Sequence, residues 1–289
     1  MQKFLEEGRV LEQQEVARQT YHLRLEAPRM AGAARAGQFL MLQVREGMDP
    51  LLRRPFSFHR ILPAEGIVEV LYRVVGKGSW WLSRCAPGAP LSLLGPLGNG
   101  FELPPIAAGP VVVVAGGIGI APLQELIQQL LAKGGGGMAA DIHLFYGART
   151  GAEQLPESLL EDLGISVYRS TDDGSVGYGG FITDLLRRVA QEKELQPSQL
   201  YACGPLAMQY HVARWALEHK VPSQLSLESL MACGIGACLG CALPAAQADA
   251  SSQDYYLHVC KDGPIFGAES IQWHKIQTHG APPPIFLYS

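Results

Sequence analysis

Four cysteines near the C-terminal end constrain this chain more than any other feature. They read Cys233-Gly-Ile-Gly-Ala-Cys238-Leu-Gly-Cys241, with Cys260 after eighteen further residues. C-x4-C-x2-C followed by a distant fourth cysteine is the spacing by which four thiolates hold a 2Fe–2S cluster. Such a cluster needs soft anionic ligands on a loop that can wrap an inorganic core. Gly234, Gly236 and Gly240 lie between the first three cysteines and let the chain curl closely, bringing N–H groups towards sulfur. On the residues alone, zinc stays open as the alternative. Zinc sites usually pair two Cys-x2-Cys or Cys/His knuckles. A lone Cys233 and a single Cys260 do not make two knuckles, although His258 lies two residues before Cys260 and would suit a mixed site. If a cluster sits here, the chain moves single electrons.

The 289 residues suffice for two or three domains, and a 47% hydrophobic content supplies a sizeable core. A net charge of −4 with no long basic run argues against nucleic acid as a main partner. The opening MQKFLEEGRVLEQQ is too charged for a secretory signal. The longest apolar stretch, about Ile106 to Leu123, is broken by glycines and prolines, which fits a buried strand and turn and not a membrane span. Of six cysteines only Cys85 and Cys203 fall outside the motif, so a disulfide framework is not expected and a reducing cytoplasm is.

The first hundred residues predict short strands around Val10–Val16, Tyr21–Leu25, Gln38–Val44, Ile67–Val75 and Pro90–Leu94, punctuated by Gly and Pro. That pattern predicts a small antiparallel barrel or sandwich. Glu102 to Pro110 reads as a linker. Strand then alternates with helix: Val111–Val114, Leu123–Lys133 stopped by Gly134–Gly137, Asp141–Tyr146, Ser166–Arg169, Phe181–Ala190, Leu200–Cys203 and Leu206–Lys220. This is the signature of a parallel α/β sheet. The expected fold class is therefore multidomain β plus α/β: an N-terminal antiparallel β-barrel over residues 1–104, a parallel α/β nucleotide-binding domain over 105–221, and a cluster domain over 222–289. The last ends in a tail, Ala281-Pro-Pro-Pro-Ile-Phe-Leu, too proline-rich for a helix.

Several segments carry chemistry. Arg53-Arg54-Pro55-Phe56-Ser57-Phe58 offers a guanidinium fork for pyrophosphate, an aromatic face and a hydroxyl; a basic strand end beside core aromatics would look the same. Leu71-Tyr72-Arg73-Val74-Val75-Gly76-Lys77-Gly78-Ser79 reads as an anion cradle opening onto a helix. Gly95-Pro-Leu-Gly98-Asn-Gly100-Phe101 reads as loop punctuation. Ala115-Gly116-Gly117-Ile118-Gly119-Ile120-Ala121-Pro122 follows a buried strand and precedes a helix, as a dinucleotide turn does, but Pro122 stands where the last glycine would be. Cys203-Gly204-Pro205 ends a later strand on the same sheet edge, and Cys203 is by default a small buried hydrophobe. Thr171-Asp-Asp-Gly-Ser175 is a polar loop at another strand end, read as a ribose contact or a plain turn.

In this order R-P-F-S, Y-R-V-V-G-K-G-S, G-P-L-G-N-G-F, A-G-G-I-G-I-A-P-L, Y-G-A-R, T-D-D-G-S and C-G-P resemble the ferredoxin–NADP reductase superfamily, over about Gly8 to Lys220. With S-L-E-S-L-M-A-C-G-I-G-A-C-L-G-C and V-C-K-D-G-P-I-F appended, the whole chain resembles the electron-transfer subunits of class B, NAD-dependent dihydroorotate dehydrogenases. The resemblance implies an FAD-binding barrel, an NAD-binding domain and a 2Fe–2S domain. It implies that NADH is oxidised at FAD and that electrons pass through the cluster to an FMN-containing catalytic subunit, in a two-plus-two heterotetramer serving pyrimidine biosynthesis. Arg54, Pro55, Phe56, Ser57, Leu71, Tyr72, Arg73, Gly78 and Ser79 would then hold FAD. Gly117, Gly119, Cys203, Gly204 and Pro205 would border the nicotinamide nucleotide, and Cys233, Cys238, Cys241 and Cys260 would bind iron. No residue of this chain is expected to act as catalytic acid or base on the pyrimidine, and neither nucleic acid nor membrane is expected as a partner.

Two departures stand out. Phe56 occupies a position where the superfamily commonly has Tyr, and the gap from Cys241 to Cys260 and the tail after Trp273 are long for the family. A related subunit of an NAD(P)H:ferredoxin or sulfide oxidoreductase is the nearest rival; those relatives tend to carry Asp where Cys233 stands and a different flavin motif. A zinc-containing nucleotide-binding regulatory module and a self-sufficient diaphorase are rivals from further away. No arginine cluster for a 2′-phosphate is apparent, which favours NADH over NADPH.

Overall fold

The computed structural model describes residues 2–105, 109–134, 141–161, 163–246 and 255–278. The proline-rich tail, the middle of the gap between Cys241 and Cys260, part of the expected linker and most of the glycine stop after Lys133 lie outside these residues.

The N-terminal part comprises β1 (Phe4–Ala17), β2 (Thr20–Glu26), α1 (Pro28–Ala33), β3 (Phe39–Gln43), β4 (Arg54–Ser57), β5 (Arg60–Leu62), β6 (Ile67–Arg73), α2 (Lys77–Leu82) and β7 (Pro90–Leu97). Its seven strands form one antiparallel sheet in the order β4-β3-β7-β1-β2-β6-β5. β4 and β5 are the two edges of that sheet, although only Phe58 and His59 separate them in sequence. The sheet therefore curls until its edges approach. Phe58 N donates to Gln38 O (3.2 Å) and His59 N to Glu69 O (2.8 Å) across the junction. The wall is barrel-like, but no ladder joins β4 to β5, so strand pairing does not close it among the described residues. Pro55 sits in edge strand β4, where a missing N–H costs no ladder bond.

Alternation along β3 serves two cores. Leu40 and Leu42 point into the curled sheet with Leu23, Val70 and Leu93. Phe39 and Met41 point out and join a second core shared with the rest of the molecule.

The central part comprises β8 (Val111–Gly116), α3 (Ile120–Gly134), β9 (Ile142–Ala148), α4 (Ser158–Glu161), β10 (Ser166–Thr171), β11 (Tyr178–Gly179), α5 (Ile182–Glu192), β12 (Gln199–Cys203), α6 (Leu206–Glu218) and β13 (Ser223–Ser226). β11-β10-β9-β8-β12-β13 are parallel neighbours in that order. Val111 and Val113 pack on the α3 side, Val112 and Val114 on the α5 and α6 side. An unbroken valine run is what a strand buried on both faces needs. The chain runs outward from β8 through β10, then returns to place β12 on the other side of β8. Crevices for ligands open beyond the carboxyl ends of strands at such a reversal.

The last part comprises β14 (Ala242–Pro244), β15 (Tyr256–His258), α7 (Val259–Asp262), β16 (Ile265–Phe266) and α8 (Trp273–Thr278). β16 runs antiparallel to β13 and completes the nucleotide sheet, so residues beyond 221 contribute two strands to it. Cys241, Cys260, Val259 and Phe266 share one buried core with Phe39, Met41 and Leu97 of the N-terminal sheet. The segment expected to be loop punctuation makes this junction. β7 continues through Leu97, and Asn99 then reaches across the chain: Nδ2 donates to Asp262 O (3.1 Å) and Ile265 O (2.9 Å), while Oδ1 accepts from Ile265 N (2.9 Å).

Candidate functional site

A cleft of about 670 Å³ opens at the carboxyl edge of the parallel sheet. Its walls include Gly116 at the end of β8 and Gly117 after it, Gly147 and Ala148 of β9, Asp172 after β10, and Pro205 after β12. Gly117, Gly119, Cys203, Gly204 and Pro205 thus gather at one sheet edge, at the ends of the two adjacent strands β8 and β12. Gly119 is required by packing: a Cβ there would lie 2.2 Å from Cys203 O and 2.7 Å from Gly204 N. Cys203 is buried, and burial, with the nearby Glu228 carboxylate, raises its thiol far above the ordinary range.

Sequence reasoning placed Arg73 at the flavin and read the Asp172 loop as a ribose contact or a turn, but it missed the paired charges of this cleft. Arg73 Nη2 lies 2.7 Å from Glu153 Oε1, Arg149 Nη2 2.9 Å from the same oxygen, and Arg187 Nη1 3.1 Å from Asp184 Oδ1. Burial works against the charge on Glu153, but its bonds to Arg73 and Arg149 outweigh that and hold its carboxyl below the usual carboxylate range. The signal was available for Arg149, which follows β9, and for Asp172, in the polar loop after β10. Glu228, just beyond β13, was also missed; its side chain reaches solvent, yet the crowding around it raises its carboxyl. Arg73 is the one residue expected at the flavin that the structure lines up with this cleft.

The other expected flavin residues line β4, β6 and α2. The two neighbouring arginines differ in what they are free to do. Arg53 is consumed by the sheet: its guanidinium donates to Ser92 O (2.6 Å), Ser92 Oγ (2.8 Å) and Gln43 Oε1 (3.3 Å). Among the described residues Arg54 engages only Nη1, with the carbonyls of Leu52 (2.6 Å) and Arg53 (3.4 Å), and lies across Gly78, where a Cβ would meet its Nε at 2.8 Å. Leu51 and Leu52, just before it in the chain, and Val75 and Trp80, in the segment that carries Gly78, are exposed, as is Met48, and Lys77 pairs with Asp49. Uncommitted guanidinium donors beside exposed apolar side chains suit a ligand with a pyrophosphate and a large flat ring, and FAD fits that description. Ser79 is occupied locally: its Oγ accepts from Val75 N (2.9 Å) and Gly76 N (3.2 Å), capping α2. Tyr72 is buried, stacked on Tyr21 and edge-on to Phe56, with its hydroxyl on Gln13 Oε1 (2.9 Å); burial raises its hydroxyl well above the ordinary range. Phe56 and Ser57 lie partly open on β4, and Leu71 packs towards α3.

The four cysteines group two and two. Cys241 Sγ and Cys260 Sγ are 3.3 Å apart and buried, while Cys233 and Cys238 hydrogen-bond each other nearer the surface. No three His, Cys, Asp or Glu among the described residues converge as they would around a single ion. Two thiol pairs match a binuclear core with two sulfur ligands per iron better than one tetrahedral zinc. Backbone donors turn towards the sulfurs: Ile235 N and Cys238 N to Cys233 (both 3.4 Å), Gly236 N to Cys260 (3.1 Å) and Cys260 N to Cys241 (3.5 Å). Burial opposes ionisation of Cys233, but these N–H groups and the Cys238 thiol outweigh it and bring it down to about 6. Burial and the adjoining Cys241 push Cys260 up to about 12. The loop is moulded to the N-terminal sheet: Gly234 has φ +71°, and a Cβ there would meet Met41 Cγ at 2.5 Å.

Residues 228–272 match the iron–sulfur cluster binding domain of dihydroorotate dehydrogenase B, and residues 113–214 an oxidoreductase NAD-binding domain. The chain is 36% identical to the dihydroorotate dehydrogenase B (NAD(+)) electron transfer subunit of Desulforamulus reducens, over 92% of this chain and 98% of that one. It is 37% identical to the subunit of the same name from Geobacillus thermodenitrificans, over 91% and 96%. A solved structure of an NADH-dependent reduced ferredoxin–NADP oxidoreductase superposes with a TM-score of 0.79 at 27% identity, covering 94% of this chain and 91% of that one. A ferredoxin NADP+ reductase from Neisseria gonorrhoeae shares the fold, with a TM-score of 0.62 at 19% identity over 74% of this chain and 91% of that one. No helix among the described residues is long and apolar enough to cross a membrane.

Proposed function

This chain belongs to the family of dihydroorotate dehydrogenase B electron-transfer subunits, and on that footing we propose that it passes electrons between NADH and a separate catalytic subunit through FAD and a 2Fe–2S cluster. The observation that carries the reading is the grouping of Cys233 with Cys238 and of Cys241 with Cys260, three of them on one loop and the fourth in α7, with backbone N–H groups facing sulfur. We take the partner to be the FMN-containing dihydroorotate dehydrogenase subunit, in a two-plus-two assembly that serves pyrimidine synthesis in a reducing cytoplasm. Six free thiols suit that compartment. We divide the chain at 1–104, 105–221 and 222–289 for FAD, NAD and cluster, with β13 and β16 as the stitch between the last two.

The chemistry that bound FAD supplies is the exchange of a two-electron hydride with nicotinamide for single electrons with the cluster. The protein's part is binding and position. Arg54 offers its unengaged guanidinium edge to pyrophosphate, Phe56 and Ser57 border the ring, and Pro55, Leu71, Tyr72, Gly78 and Ser79 form the wall that holds them. Gly117, Gly119, Cys203, Gly204 and Pro205 form the floor for the nicotinamide end, and their small size brings the two strand ends close together. Arg73 and Arg149 turn positive charge towards the cleft, with Glu153 neutralising part of it. Cys241 and Cys260 face the interior; Cys233 and Cys238 face solvent beside exposed Leu230, Ile235 and Leu239. That polarity runs electrons from flavin to an apolar surface where a partner can cover them. We assign no acid–base step on the pyrimidine to this chain.

The test is the visible spectrum of anaerobically purified protein before and after NADH. The expected result is flavin and iron–sulfur bands that bleach together. Flavin without iron–sulfur absorption, with zinc bound instead, overturns the cysteine reading; a colourless protein overturns the redox reading altogether.

A further inference from the structure

The short segment that leaves the flavin strand is bolted to the helix that leaves the dinucleotide turn. His59 lies two residues beyond Ser57, and Ala121 two residues beyond Gly119. His59 Nδ1 sits 3.1 Å from Ala121 O. A carbonyl only accepts, so Nδ1 carries the hydrogen and the ring is oriented by that bond. One helical turn on, Glu125 Oε2 accepts from Ile61 N (3.0 Å) and from Arg60 Nε (3.3 Å), and Glu125 Oε1 accepts from Gln129 Nε2 (3.0 Å). Glu125 is buried with both oxygens engaged: Oε2 holds residues 60 and 61, and Oε1 is steadied by Gln129 within α3. The other side of His59 is fixed as well: its backbone N donates to Glu69 O (2.8 Å), and its ring meets His22 edge-on.

Three consecutive residues, 59 to 61, therefore lock the first two turns of α3 to the curled sheet. They span the two units that carry the two proposed ligands, and the His59–Ala121 contact does so within two residues of each binding motif. We propose that His59 and Glu125 are positioning residues that set the alignment of the nicotinamide ring with the flavin ring. The proposal rests on the functional reading above. His59 and Glu125 lie outside the residues assigned to either ligand, and their side chains are spent on Ala121 O, Arg60 and Ile61 N; they act through Ala121 and the Gly117–Gly119 turn on one side and through β4 on the other. Hydride transfer is steep in distance and angle, and a displacement of about 1 Å costs as much as a hundredfold in rate.

The experiment uses the complete FAD- and cluster-loaded protein in three variants: H59F, which removes the donor; H59N, which can place an amide N–H where Nδ1 stands; and E125Q, which weakens the second bolt. Three quantities are read for each: the limiting rate of flavin bleaching at saturating NADH, the affinity for NAD+ by calorimetric titration, and the long-wavelength charge-transfer absorbance when NAD+ is added to the reduced protein. The absorbance reports ring stacking at equilibrium and needs no turnover. In H59F and E125Q the limiting rate is expected to fall by about tenfold or more, with weakened charge-transfer absorbance, NAD+ affinity within about threefold and FAD content unchanged; H59N is expected to restore both signals. Wild-type rates and absorbance in H59F and E125Q overturn the proposal. So does an H59N variant as impaired as H59F, which makes the ring a packing element only. If H59F does not fold, E125Q decides by the same readings. Wild-type protein that holds no FAD, or is not bleached by NADH, overturns the functional reading itself, and this result differs from every variant outcome.

Discussion

Replacing Asn99 by alanine removes the side chain that joins the curled sheet to the cluster region. Three hydrogen bonds disappear: two donated by Nδ2 to Asp262 O and Ile265 O, and one accepted by Oδ1 from Ile265 N. A neutral hydrogen bond contributes about 1 kcal/mol net, so the three together give about 3 kcal/mol. For a unit of 150–250 residues that amount lowers Tm by roughly 6–12 °C. The backbone bond from Asn99 N to Gly263 O (2.6 Å) survives, so the loop stays in place and the loss is confined to the side chain. Asn99→Asp sharpens the test. Its carboxylate can still accept from Ile265 N, but it turns an anion towards two carbonyl oxygens, so N99D is expected to be at least as damaging as N99A. Thermal unfolding followed separately by flavin fluorescence and by iron–sulfur absorbance is the assay. The cluster signal is expected to move most, because Asp262 and Ile265 flank Pro264 just after Cys260. An N99A protein within about 0.5 kcal/mol of wild type, below the range of a single hydrogen bond, would refute the view that this side chain carries the junction.

Further outcomes are open to measurement. Gly119→Ala places a Cβ 2.2 Å from Cys203 O, a backbone atom that cannot swing away, so a loss of about 1–3 kcal/mol together with weakened NAD+ binding is expected from denaturant unfolding and calorimetry; unchanged binding would remove Gly119 from the floor of the cleft. His59 titrates at about 4 instead of 6.5, chiefly because burial disfavours its charged form, with His22 and Arg60 adding to the shift and Ala121 O and Glu69 opposing it. Between pH 6.5 and 4 the unfolded chain takes up a proton that the folded one refuses, so stability is full above pH 6.5 and falls as pH is lowered, by at most about 3 kcal/mol. Urea midpoints of wild type and H59N measured across that range are expected to converge towards pH 4; parallel curves contradict the assignment. Cys85 is half-buried and pushed up by burial, so C85S is expected to keep its iron–sulfur absorbance, whereas C238S and C260S are expected to lose it; iron content per chain decides.

Much of this architecture was written in local pattern. The run Val111–Val114 announced a strand buried on both faces, and the strand–helix alternation after it announced the parallel sheet. The first hundred residues read as antiparallel β structure and fold as one curled sheet, but alternation could not show that β4 and β5 form its edges without pairing. Gly95–Phe101 looked like punctuation because nothing in seven residues reveals that Asn99 bonds to positions 163 and 166 residues away. Arg53 and Arg54 are equal as letters; only the position of Ser92 and Gln43 commits the first and leaves the second. Glu153 carried no signal, since an acidic residue in a turn is usually just solvated, and Glu228 stood inside a quoted motif without a role of its own.

By itself the sequence determined the kinds of element, their order along the chain and the chemistry of the cysteine loop, because strand period, helix punctuation and thiol spacing are properties of neighbours. The tertiary structure alone decided that the thiols come as a buried pair and an outer pair, that the cleft's arginines are offset by carboxylates, and that His59 and Glu125 tie the two ligand motifs together. Those arrangements depend on where distant segments meet, and hydrogen bonds, burial and charge act over a few ångströms of space whatever the separation along the chain.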